Sequence, residues 1–242
     1  MGLIRLDKYI CDMGLASRRE VKQLIRSGRV IVDGIPLVTA ETKIAPASAS
    51  VYLDGELLHH TDHHYYIIDK PSGVLTATED RRQRTVMDLI SPEMKRMGLF
   101  PVGRLDKDTS GLLILTDDGD FAHRVISPKS GIEKLYYARV DGIPDSGDVK
   151  AFEDGLTLAD GTKCMSAVLT LLGGSECLVT VMEGKYHQVK RMLASRGKSV
   201  LELRRIAIGS LRLGEDSSPG SYCEISQEDI YRHIVEKTVN KL

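Results

Sequence analysis

The chain has 242 residues, 42% of them hydrophobic, which is enough for one large domain with an ordinary core plus a small one. No run approaches the roughly 18 apolar residues of a membrane span, and Cys11, Cys164, Cys177 and Cys223 lie far apart, which argues for reduced thiols in a cytoplasm over a disulfide frame or zinc site. The net charge of −1 hides two basic stretches: residues 1–32 hold seven Lys/Arg against three acids, and residues 181–212 hold eight against two, so each is either a polyanion-binding patch or a solvated helix face.

The first domain is expected over residues 1–58. Ser17-Arg18-Arg19-Glu20 has the spacing of a capping box and predicts a helix start. Val21, Leu24 and Ile25 supply its core face, while Arg18, Lys22 and Arg26 recur every four residues on the opposite face. Gly28 stops the helix. Val30-Ile31-Val32 predicts a strand ending in an Asp33-Gly34 turn, and Val51-Tyr52-Leu53 a second one ending in Asp54-Gly55. Together Arg5-Leu6-Asp7-Lys8, Ser17-Arg18-Arg19 and Arg29 to Gly34 resemble the helix–turn–helix–strand RNA-binding module shared by a small-subunit ribosomal protein, tyrosyl-tRNA synthetases and several RNA-modifying enzymes. The resemblance implies that Arg5, Lys8, Arg18, Arg19, Lys22 and Arg26 touch RNA phosphates. Taken singly, each is a solvated cation.

Residues 59–64 read as a polar linker. His59, His60, His63 and His64 have spacings that suit a metal, yet only Asp62 accompanies them, so a polar joint is the preferred reading and no metal is assigned. From Tyr65 to the end at residue 242 the pattern is mostly strands: Tyr65 to Ile68, Leu112 to Thr116, Lys134 to Val140, Ala167 to Leu171, Leu178 to Met182, Val200 to Leu203 and Tyr222 to Ile225. Helices are expected through Phe121 to Ile126, near His187 to Ser195, and from Ser226. Many strands with few helices predict an α+β fold, here a mixed, mainly antiparallel sheet with flanking helices.

The most informative run is Gly103-Arg104-Leu105-Asp106-Lys107-Asp108-Thr109-Ser110-Gly111-Leu112-Leu113-Ile114-Leu115-Thr116. It sets Asp106 between two cations in a Gly-bounded polar turn ahead of an apolar strand. One alternative is a calcium loop, with Asp106, Asp108, Ser110, Gly111 and Asp117 near the required positions. Pro101 and Gly103 stand where a helix should end, Leu112 to Leu115 suit a buried strand, and the last ligand is Asp, all of which count against it.

Four ordered segments resemble the motifs of the pseudouridine synthases: Asp69-Lys70-Pro71-Ser72-Gly73-Val74, the Gly103–Thr116 run, Glu133-Lys134-Leu135-Tyr136, and Gly184-Lys185-Tyr186-His187-Gln188-Val189-Lys190-Arg191-Met192. They span about 125 residues and, with the N-terminal module, nearly the whole chain. The resemblance implies an enzyme without cofactor or metal that breaks the bond from C1′ to N1 of a flipped-out uridine and rejoins the base through C5. It implies that Asp106 attacks C1′ or takes a sugar proton. Tyr136 then stacks on the uracil and takes the C5 proton. Lys190 keeps the Asp106 carboxylate charged, with Arg191 as the alternative partner. Arg104 fills the gap left by the flipped base, and Lys185, His187, Gln188 and Arg191 contact RNA.

The last motif resembles the small-subunit branch of the family, which implies uridine 516 of 16S rRNA as the target. The partner is then 16S rRNA or a small-subunit assembly particle, and the protein a cytoplasmic monomer with no membrane association. The alternatives are a large-subunit 23S rRNA enzyme and a non-catalytic rRNA-binding assembly factor.

Overall fold

The computed structural model describes residues 2–36, 38–214 and 216–236. They form two compact units, residues 1–64 with 90–99, and residues 65–89 with 100–242.

In the first unit the order is β1 (Ile4–Arg5), α1 (Leu6–Asp12), α2 (Arg18–Arg26), β2 (Val30–Val32), β3 (Lys43–Ile44), β4 (Val51–Leu53) and β5 (Glu56–Leu57). The capping box forms as its spacing predicts: Ser17 Oγ accepts from Glu20 N at 3.4 Å, and the Glu20 carboxylate accepts from Ser17 N at 2.7 Å. Val21 and Ile25 turn into a core with Leu6, Tyr9, Ile10, Val30 and Val51, while Arg18, Lys22 and Arg26 stay exposed. Asp33 and Asp54 take left-handed backbone angles ahead of Gly34 and Gly55, which closes the two turns.

A helix that the sequence pattern does not announce, α3 (Pro92–Arg96), also belongs to this unit. It is five residues long with one buried side chain, Met94, so it has no apolar period to read. Arg96 Nε donates to Gly14 O at 3.0 Å, and a Cβ at Gly14 would stand 2.7 Å from Glu93 O. The 59–64 segment also packs here. His60 stacks on Tyr9 with centroids 4.9 Å apart, and buried His64 bonds through Nε2 to Asp12 O at 3.1 Å.

The second unit holds β6 (Tyr65–Lys70), β7 (Phe100–Pro101), β8 (Ser110–Thr116), α4 (Gly119–Ile126), β9 (Lys134–Val140), α5 (Ser146–Asp154), β10 (Val168–Gly173), β11 (Glu176–Val181), α6 (Gln188–Ser195), β12 (Val200–Ile208), β13 (Leu211–Arg212), β14 (Tyr222–Glu224) and α7 (Gln227–Tyr231). One nine-stranded sheet runs in the order β10-β11-β9-β12-β8-β6-β14, with β13 on β12 and β7 on β8. Every pairing is antiparallel except β12 with β8. The sheet is mixed and mainly antiparallel, as the strand-rich pattern predicts.

Two cores line it. One gathers Ala138, Phe152, Val179, Met192 and Leu203 around β9 and β11; the other gathers Tyr65, Leu112, Ile114, Phe121 and Ile230 around β6 and β8. β12 feeds both, through Leu203 and Ile208. At the parallel seam Arg205 faces Gly111, whose φ is +103°. A Cβ there would stand 2.2 Å from Arg205 O and 2.9 Å from Arg205 N, so the seam closes only over glycine.

The helix α5 also departs from the sequence reading. Its apolar content is thin, and it is fixed by an Asp145 cap and by buried Asp148, which pairs with Arg196 at 2.9 Å and Lys198 at 2.7 Å.

Candidate active site

The segment before β8 is held almost entirely by its backbone. Thr76 Oγ1 donates to Leu105 O at 2.8 Å and accepts from Leu105 N at 3.2 Å. Thr109 N donates to Asp106 O at 3.1 Å, closing a turn over residues 106–109, and Gly73 N donates to Lys107 O at 2.8 Å. Lys70, fully buried at the end of β6, donates from Nζ to Pro71 O, Lys107 O and Thr109 O at 3.0, 3.2 and 2.8 Å. Three acceptors match the three protons of an ammonium, although burial pushes the group down to about 8. These bonds leave the Asp106 carboxylate free to face outward.

It faces an ammonium and an imidazole. Lys190 Nζ lies 3.2 Å from Asp106 Oδ2, and His187 Nε2 lies 3.4 Å from Oδ1. Lys190 also binds the exposed Asp108, and that hydrogen bond holds the Asp108 carboxyl below its ordinary range. Arg191 pairs instead with Asp160 at 2.6 Å, so of the two cations considered for Asp106 the geometry selects Lys190. Both His187 and Lys190 arrive through the start of α6. His187 caps that helix in the left-handed region, with φ 47° and ψ 36°. That backbone is uncommon for a residue with a Cβ, and here it aims the ring at Asp106.

Asp106, Arg104, Tyr136, Glu183, Lys185 and His187 line a small pocket of about 60 Å³. Tyr136 sits on β9 opposite Arg205 of β12, and Arg205 Nη1 lies 3.5 Å from the phenol oxygen. The same guanidinium donates from Nε to Leu112 O at 2.8 Å, and its Nη2 finds no partner among the described residues. Lys134, two residues before Tyr136, is buried with Nζ likewise unpartnered; burial and the nearby Arg205 charge push it down to about 8.

Gln188 corrects a sequence expectation. It was assigned to RNA, yet it is only 5% exposed. Its Oε1 accepts from Lys185 N at 2.9 Å and its Nε2 donates to Glu183 Oε1 at 2.8 Å, so both ends of the amide are committed inside the protein. Buried Glu183, to which the sequence reading gives no role, is the hub: it also accepts from Met165 N at 2.9 Å and binds Lys185 Nζ. An acid directly before the Gly-Lys-Tyr-His turn was the available signal. Arg205 and Thr76 were missed as well; the pair Arg204-Arg205 between Leu203 and Ile206 is the signal for the former.

Arg104 is exposed at the pocket rim. In the first unit Arg18, Arg19, Lys22 and Arg26 are exposed, as is Lys8, which lies 3.9 Å from Asp12. Arg5 is exposed too, with Nε and Nη2 donating to Asp7 at 2.9 and 2.7 Å. The calcium-loop alternative is not met, because its second half is the buried strand β8.

Residues 64–195 match the family described as RNA pseudouridylate synthase, and residues 4–44 match the S4 domain. The chain is 38% identical to an uncharacterized RNA pseudouridine synthase of Bacillus subtilis, over 94% of this chain and 97% of that one. It is 36% identical to the ribosomal small subunit pseudouridine synthase A of Vibrio cholerae and to that of Escherichia coli, in each case over 94% of this chain and 98% of the relative. A crystal structure of a pseudouridylate synthase superposes with a TM-score of 0.67 at 31% identity, covering 96% of this chain and all of the other.

Proposed function

Since the chain belongs to the RNA pseudouridylate synthase family, with an S4 domain ahead of the synthase region, we propose that it isomerises one uridine of ribosomal RNA, uridine 516 of 16S rRNA, to pseudouridine. The observation that carries the site assignment is the Asp106 carboxylate at a pocket mouth, flanked by Lys190 at 3.2 Å and His187 at 3.4 Å, with Tyr136 across the same pocket.

The reaction breaks the C1′–N1 bond, turns the uracil and forms C1′–C5. C5 loses a proton and N1 gains one, so no atom is added and no cosubstrate is consumed. Asp106 opens it by adding to C1′ or by removing a proton from the sugar, and either route needs an ionised carboxylate. Tyr136 packs against the uracil, and its oxygen, facing the Arg205 guanidinium, takes the C5 proton as its own hydroxyl proton passes to solvent. The target must leave its stack, which costs roughly a few kcal/mol. Exposed Arg104 at the rim takes the vacated place, and the cations of α2 grip flanking phosphates.

The partner in this reading is 16S rRNA or a small-subunit assembly particle, met by a monomer in the cytoplasm. Among the described residues no helix is long and apolar enough to cross a membrane.

Pseudouridine mapping of unmodified 16S and 23S rRNA transcripts, after incubation with wild-type protein or Asp106→Asn, tests all of this. One new 16S site, made by wild type alone, is the expected result. A 23S site would overturn the target, and turnover by Asp106→Asn would overturn the role of Asp106.

A further inference from the structure

Tyr186 is the most exposed aromatic side chain among the described residues, at 75%. An aromatic ring left in water beside a catalytic pocket calls for an explanation, because aromatic rings normally bury their faces. One face is covered. The Tyr186 and His187 rings lie parallel within 18°, with centroids 3.8 Å apart. The other face meets no ring among the described residues.

The pair is held from behind. His187 takes its left-handed backbone at φ 47° and reaches Asp106 with Nε2 at 3.4 Å. The carbonyl of Tyr186 accepts from Arg191 Nη1 at 3.4 Å, and Arg191 is itself fixed by Asp160 at 2.6 Å. Lys185 and Gln188, on either side, are tied to Glu183. A two-ring stack therefore runs from the candidate nucleophile out to solvent on a braced turn, with its outer end open.

From this geometry we infer that the free face of Tyr186 is a stacking platform for a nucleobase next to the uridine that is flipped. The inference rests on the RNA substrate proposed above. Once the target leaves its stack, its neighbours lose a stacking partner, and single-stranded RNA bases dock on exposed aromatic faces in this way. Every base has a π-face, so the platform accepts a purine or a pyrimidine and selects for an unstacked neighbour more than for its identity. His187 couples the two events: the ring that supports the platform also contacts the carboxylate that must act on the sugar.

The test uses the intact protein and its Tyr186→Phe, Tyr186→Leu and Tyr186→Ala variants. Affinity for an unmodified 16S rRNA transcript should be retained by Phe and weakened about 10-fold or more by Leu and Ala, the range expected for loss of one base–aromatic stack. In steady state the loss should fall on KM, with kcat held within about threefold, since Tyr186 does not touch Asp106. A synthetic RNA carrying 2-aminopurine beside the mapped uridine should be quenched by wild type and Phe and not by Leu, a spectroscopic signature that a merely structural role would not move.

Leu binding and quenching like wild type would overturn the platform while leaving pseudouridine formation in place. The reaction itself is judged separately by the mapping experiment. If wild type modified neither RNA, the affinity comparison between wild type, Phe and Leu would still decide whether Tyr186 stacks on RNA.

Discussion

At the scale of single residues, the second unit treats its charges in two ways. Asp106, half-buried, keeps the Lys190 ammonium at 3.2 Å and the His187 ring at 3.4 Å. Replacing Lys190 with Met should cut kcat by about 10²-fold, the usual cost of losing one preorganised charge from a site, while Lys190→Arg should recover part of it. Single-turnover kinetics on the mapped RNA would read both, and an unimpaired Met variant would remove Lys190 from the mechanism. Lys134, by contrast, is buried with no acceptor among the described residues, and burial pushes its group from 10.5 down to about 8. Below pH 8 both folded and unfolded chains hold the proton, and the folded state bears the full burial cost. Between 8 and 10.5 the unfolded chain binds a proton that the folded one has shed, so this group's contribution to stability improves as pH rises. Lys134→Met should therefore be more stable than wild type at pH 7, by up to about 3 kcal/mol. The advantage should shrink toward pH 10. Urea unfolding of both proteins at several pH values would show it, and a gap that does not change with pH would contradict the burial account.

Among the elements, β12 and its two neighbours position the candidate site. The turn that carries Asp106 precedes β8, which pairs in parallel with β12, and the β9–β12 pairing sets Arg205 opposite Tyr136. Because the Gly111 Cβ position lies 2.2 Å from Arg205 O, Gly111→Ala has to open the seam. We expect a loss of at least about 3 kcal/mol by chemical denaturation, as for other overpacked backbone contacts at positive φ. A near-neutral result would mean that the strands part at little cost. The strands themselves were legible. Lys134–Val140 forms over its expected residues, and alternation also located β10, and apolar runs β8 and β11, to within two positions. What escaped were elements fixed by polar contacts instead of an apolar period, α5 with buried Asp148 and α3 with Arg96, and the parallel pairing, which joins residues 94 positions apart. In the pocket, Asp106, Tyr136 and Lys190 were visible as motif residues. Glu183 and Arg205 were not, since their roles exist only once four segments converge. Gln188 was misread because a polar side chain in a motif gives no sign of whether it points at a ligand or at its own loop.

For the molecule as a whole, the described chain makes two units from segments that are not consecutive. Residues 90–99 return to the N-terminal unit, so the chain passes between the units at 64/65, 89/90 and 99/100. Within that first unit, α3 is bonded to Gly14 through Arg96, and His64 is bonded to Asp12. Thr61 and Asp62 between them are exposed. A specific protease site introduced at residues 61–62 would leave α3 and His64 on one fragment and α1, α2 and β1 to β5 on the other. Cleavage should give two bands on a denaturing gel and a single peak on native size exclusion. Two native peaks would show that the Gly14 and Asp12 contacts are too weak to hold the module. If one peak is seen, the protein lends itself to fragment complementation: an RNA-gripping piece and a catalytic piece expressed from separate genes would find each other through a ten-residue docking segment that the catalytic piece already carries.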